Sequence, residues 1–96
     1  MVEIRKAGIF ERWFTELRDR RAVARIKARI DRLQLGLLGD VKPVGEGVSE
    51  MRIDYGPGYR IYFAQRGREL VILLAGGDKR TQSRDIKKAL ELAQLL

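Results

Sequence analysis

Two arginines, a lysine and a tyrosine stand where three consecutive strands would bring them to one place. Arg52 falls within Ser49-Glu50-Met51-Arg52-Ile53-Asp54-Tyr55, and Arg60 and Tyr62 within Tyr59-Arg60-Ile61-Tyr62-Phe63-Ala64-Gln65. Between them Gly56-Pro57-Gly58 offers the unusual backbone angles and fixed φ of a short reversal, so the two segments read as a hairpin. Alternation at period two sets Met51, Ile53, Ile61 and Phe63 on a core face and Arg52, Arg60 and Tyr62 on the other. Lys79 follows the apolar run Leu70 to Ala75 across Gly76-Gly77-Asp78, where two glycines permit close backbone approach.

This set suits a phosphodiester. Cleaving one builds negative charge on its nonbridging oxygens, and guanidinium groups offset that charge through directed donor forks. Arg52 and Arg60 can clamp one phosphate, and Lys79 adds a flexible point charge or a proton-transfer group. A lysine of ordinary pKa is a poor base at neutral pH unless desolvation or adjacent arginines lower its value. Tyr62 can orient an oxygen or stack on a base, and Asp78 can orient Lys79. Plainer roles compete with these. Arg52 can pair with Glu50, Asp54 or a cross-strand carboxylate, Lys79 can be a solvated loop residue, and Asp78 can serve a helix N-terminus. Tyr55 and Tyr59 read as packing or hairpin residues. Gly76-Gly77-Asp78-Lys79 lacks the spacing of a nucleotide-binding phosphate loop.

The elements that must position these residues fit one domain spanning residues 1–96. A chain of 96 residues buries roughly 60–65% of its unfolded surface, and 45% apolar composition suffices for a core. Cysteine and histidine are both absent, which excludes disulfides, thiolate nucleophiles, histidine bases and the common zinc sites. Net charge is +7, and seven basic residues between Arg18 and Arg32 face only Asp19 and Asp31. Such a run is a solvated helix face, a nucleic-acid contact or a docking surface for an acidic partner. No apolar run approaches the roughly 20 residues that span a bilayer, and Met1 to Leu17 lacks the form of a signal peptide.

Val2-Glu3-Ile4-Arg5 alternates as an edge or outer strand. Ile9, Phe10, Trp13, Phe14 and Leu17 recur at helical spacing, and Ala22, Ile26, Ile30 and Leu33 form a second stripe. The two helices are expected to pair antiparallel over one sheet face, with Trp13 packed at their interface with the sheet. Val41-Lys42-Pro43-Val44 reads as a short edge strand or irregular approach, because proline removes a ladder donor. Leu70 to Ala75 reads as a central strand, and Ile86, Ala89, Leu90 and Ala93 as one side of a final helix that Thr81 or Ser83 can cap. The order β-α-α-(β)-β-β-β-α predicts an α+β fold, a small, mainly antiparallel sheet with two N-terminal helices and one C-terminal helix.

Gly39-Asp40-Val41-Lys42-Pro43-Val44-Gly45-Glu46-Gly47-Val48-Ser49-Glu50, with Arg52-Ile53 and Gly56-Pro57-Gly58-Tyr59-Arg60-Ile61-Tyr62-Phe63, resembles the RelE/ParE toxin superfamily. Its HigB-like "addiction module killer protein" branch is the nearest, phage-derived relatives included. Gly76-Gly77-Asp78-Lys79, Thr81-Gln82, Asp85-Ile86, and near the start Trp13, Leu17, Arg18-Asp19 and Arg25-Ile26 extend the resemblance over essentially the whole chain. It implies a cytoplasmic toxin of a type II toxin–antitoxin module, a ribosome-dependent endoribonuclease that leaves a 2′,3′-cyclic phosphate on messenger RNA. Arg60, Arg52 and Lys79 match catalytic positions, while Tyr62, Asp78, Lys42 and Arg25 would bind or orient RNA. Neither metal nor cofactor is implied. The implied partners are a small helix-turn-helix antitoxin, the ribosome with its mRNA, and a toxin–antitoxin hetero-oligomer on operator DNA, with no membrane. Two other activities stay open on the same resemblance: a noncatalytic poison of DNA gyrase, and a degenerate domain that only binds its antitoxin.

Overall fold

Glycine and proline fix the central hairpin. In a computed structural model that describes residues 1–96, Gly56 and Gly58 take φ of 57° and 80°, a region that costs a side-chain-bearing residue about 1–2 kcal/mol. They join β3 (Val48–Ile53) to β4 (Tyr59–Arg66). Ahead of them come β1 (Glu3–Lys6), α1 (Gly8–Thr15), α2 (Arg20–Gln34) and β2 (Val41–Gly45). After them come β5 (Leu70–Gly77), a 3-10 turn at Lys79–Thr81, and α3 (Gln82–Gln94). The sheet order is β1-β5-β4-β3-β2. All neighbours are antiparallel except β1, which runs parallel to β5 at the edge. Both edge strands are the expected ones, and β2 carries a register shift between Pro43 and Gly45 where the proline weakens pairing.

The two helical stripes pack on one sheet face. Phe10, Ile26 and Leu33 meet Met51, Ile53, Ile61, Phe63, Val71 and Leu73 there. Asp19 breaks the chain between the helices, because its carboxylate accepts from the Arg21 and Ala22 amides at 2.9 and 3.2 Å and so starts α2. Trp13 is half-buried against Phe10, Tyr59 and the backbone of Gly76, where a Cβ would collide with its ring. That is the interface expected for it.

α3 covers the opposite face. Ala89 and Ala93, small enough for close approach, pack with Val48, Tyr62, Ala64, Leu74 and Ala75 into a second core. The face that carries both arginines is therefore half core and half site. No helix is long and apolar enough to cross a membrane. Neither expected hydroxyl caps α3 through its backbone: Thr81 occupies the cap position but donates to the Asp85 carboxylate at 2.5 Å.

Candidate functional site

Arg52 and Arg60 are directly opposed in the β3–β4 ladder, and Arg60 in turn lies opposite Gly77 on β5. Register alone thus puts two guanidinium groups side by side at the hairpin end of the sheet. Lys79 arrives just past β5, and its aliphatic stem runs over Gly58, where a Cβ would crowd it. The three cations line one pocket of about 390 Å³, with Asp40, Asp54 and the Gly56-Pro57-Gly58 turn completing the wall.

Their environments differ. Arg52 is partly exposed and donates from Nη2 to Asp40 Oδ1 at 3.0 Å. The cross-strand carboxylate anticipated as its partner is this one. An exposed pair of that kind is worth about 0–1 kcal/mol, so an incoming phosphate can displace it. Arg60 is only 8% exposed. Its Nε lies 3.8 Å from Glu50 Oε1, beyond hydrogen-bond reach, and Nη1 makes one long 3.4 Å bond to the Tyr59 carbonyl. Buried Nε donors on both Arg52 and Arg60 lack any acceptor. The Tyr62 hydroxyl in the second core is likewise without a partner, so these buried donors are a cost the fold carries. Lys79 is exposed and joins no ion pair, and Asp54 is the lining carboxylate with neither a hydrogen bond nor an ion pair.

Behind the pocket lies a buried polar relay that the sequence had not signalled. Glu50 is 1% exposed, and its Oε2 accepts from Gln82 Nε2 of α3 at 2.6 Å. Its charge opposes the Arg60 guanidinium, so neither is left alone in the core. Only strand register and the docking of α3 bring these three residues together.

None of the four residues expected to bind or orient RNA lines this pocket. Tyr62 is fully buried in the second core, so it has no face on which a base could stack. Burial first, and then the charges of Glu50 and Asp85, push its phenol far above the ordinary range and keep it neutral. Asp78 does not orient Lys79. It accepts from the Arg80 amide, Nε and Nη2 at 2.8, 3.3 and 3.0 Å, which hold its carboxyl below the usual range. Lys42 is exposed on the edge strand, opposite Glu50 in register, and does not line the pocket. Arg25 sits on α2 with its guanidinium 4.8 Å from the Tyr55 ring centre. Nowhere do three or more carboxylates converge into a site for a metal ion.

A family model for "Phage derived protein Gp49-like (DUF891)" matches residues 12–95, a span that takes in every residue of the pocket. The chain belongs to this Gp49-like family. The expected membership of the RelE/ParE superfamily, on its HigB-like branch, is overturned by that match. A Gly-Pro-Gly reversal, opposed arginines and glycines before a lysine are what a small sheet needs to hold cations at one end. They do not single out that superfamily. The Gp49-like chain is also similar to an uncharacterised protein of Haemophilus influenzae, 50% identical over 95 residues that cover 99% of this chain and 96% of that protein.

Proposed function

We propose that this Gp49-like protein is an endoribonuclease that cleaves by internal transesterification. The observation that carries the proposal is the convergence of Arg60, held rigid by near burial, with Arg52 and Lys79 on the wall of one pocket. Arg60 and Arg52 hold the two nonbridging oxygens of one phosphate. The ribose 2′-oxygen attacks phosphorus, its proton passes to the Asp54 carboxylate, and the bond to the 5′-oxygen breaks. Lys79 donates a proton to that leaving oxygen. The products are a 2′,3′-cyclic phosphate and a free 5′-hydroxyl. The guanidinium forks gain strength as charge moves onto the equatorial oxygens, so their contribution is largest in the transition state.

The proposal extends to a cellular role, growth arrest through cleavage of messenger RNA on the ribosome under the restraint of an antitoxin. The +7 charge supports approach to ribosomal RNA. The test is induction of the chain alone in bacteria with mapping of transcript ends, beside purified protein incubated with translating ribosomes. Cyclic phosphate ends that disappear in Lys79→Ala, an exposed position whose loss spares the fold, are expected. Growth arrest with intact transcripts and gyrase-linked DNA breaks sinks the proposal in favour of a topoisomerase poison.

A further inference from the structure

The pocket is not isolated. Ile53 and Asp54 line it and also line an adjoining groove of about 230 Å³ with Arg25, Ala28, Arg29 and Arg32. Arg25 and Ala28 in turn are shared with a third, shallower groove that adds Arg21 and Ala24. The hairpin end of the sheet therefore leads without interruption onto one face of α2. Sequence spacing explains that face. Arg21, Arg25, Arg29 and Arg32 fall at helical intervals of four, four and three, with Ala24 and Ala28 as a low floor between them. The other side of the helix is buried through Ala22, Ile26 and Leu33.

Three of the four arginines are free. Arg21, Arg25 and Arg32 are exposed and make no ion pair, and the guanidinium of Arg25 rests on Tyr55. Arg29 is engaged: Nη1 donates to the Arg52 carbonyl at 2.7 Å and Nη2 to the Leu38 carbonyl at 3.3 Å. It ties α2 to the strand that carries Arg52. Asp54 lines the groove and is able to accept from a ribose hydroxyl, while Asp19, next to Arg21, is engaged by the Tyr55 hydroxyl. From Arg21 to Arg32 the helix rises about 16 Å, in steps of about 6 Å between residues four apart. Steps of that order match the separation of successive phosphates in an extended strand.

We infer that the groove along Arg21, Arg25 and Arg32 of α2 binds the phosphates of single-stranded RNA that flank the one held in the pocket. The inference rests on the ribonuclease reading for the choice of RNA, and the binding it asserts can be measured without any cleavage. An acidic protein segment is the competing occupant, disfavoured because the groove opens directly into a site built for a phosphodiester.

The test compares the full chain with Arg21→Ala/Arg25→Ala/Arg32→Ala, using a fluorescent oligouridylate and a uridylyl dinucleotide. The dinucleotide reports on the pocket and should bind both proteins equally. The oligouridylate should bind the triple variant at least tenfold more weakly at low salt. Its plot of log affinity against log salt should flatten by about 2, since each phosphate contact on a single strand contributes about 0.7. Lys87→Ala/Lys88→Ala on α3, both exposed, controls for charge lost elsewhere and should leave the slope unchanged. An unchanged slope in the triple variant, or an equal drop in the control, overturns the inference. So does polyglutamate competing with the oligouridylate at equal charge concentration and losing its affinity in the same variant. A dinucleotide that fails to bind even the parent removes the pocket reading, while a flattened slope still upholds the groove.

Discussion

Arg60 is both a candidate catalytic group and the counter-charge of a buried carboxylate, and the two roles separate by substitution. Removing one partner of a buried pair leaves the other charged in the core, at a cost of about 3–5 kcal/mol. Glu50 would be stranded in this way, with only Gln82 to satisfy it. Arg60→Ala is therefore expected to lower stability by that order in chemical denaturation, and loss of activity in it would be uninformative. Arg60→Lys keeps the charge and loses the fork. It should remain folded by circular dichroism and cleave at least tenfold more slowly, equivalent to about 1.4 kcal/mol of transition-state stabilisation. Parental cleavage rates in folded Arg60→Lys would take bidentate clamping out of the mechanism.

At the scale of elements, what is local in sequence was legible and what is distant was not. The Gly-Pro-Gly reversal, strand alternation and the α2 stripe each need only neighbours within a few residues, and each lies where expected. The opposition of Arg52 and Arg60 followed from the hairpin. The placement of α3 did not, because no local rule says which sheet face a terminal helix covers. Strand parity sets Tyr62 on the face of Arg60, but the docking of α3 buries it there and also brings Gln82 to Glu50. Asp78 takes the plainer of its two expected roles, at the start of the 3-10 turn, because Arg80, two residues away, competes for it more closely than Lys79 does. Trp13 was placed correctly, but it is half-buried. Trp13→Ala should thus cost less than the roughly 3–5 kcal/mol of a fully buried aromatic, measured by thermal or denaturant unfolding. The start of α2 gives a pH test. The Tyr55 hydroxyl bond at 2.9 Å, then the Ala22 and Arg21 amides, hold the Asp19 carboxyl below its ordinary range. A depressed folded-state pKa contributes stability that is complete above the unfolded value, about 3.9 for an aspartate, and is lost as pH falls through the folded one. Asp19→Asn should therefore lower the melting temperature at neutral pH and flatten the acid limb of the melting curve below about pH 4. An acid limb identical to the parent's would show that the cap contributes nothing.

Across the whole molecule, the pocket at the hairpin end and the arginine face of α2 are continuous, meeting at Ile53 and Asp54. The β1–β5 pairing has a different consequence, for how the chain comes into being. Glu3 pairs with Leu70 and Lys6 with Leu73, so the first strand synthesised has no partner until the last has been made. Contacts so far apart in sequence close late and slowly. Arg60 also needs Gly77 beside it, Glu50 needs Gln82, and the wall of the pocket needs Lys79. A growing chain therefore passes through most of its length with arginines exposed and no assembled centre. A truncation that stops before Leu70 is expected to show no cooperative unfolding transition and no cleavage, measured by calorimetry and transcript-end mapping. The pocket and its buried support are therefore assembled only after Lys79 and Gln82 have joined the chain.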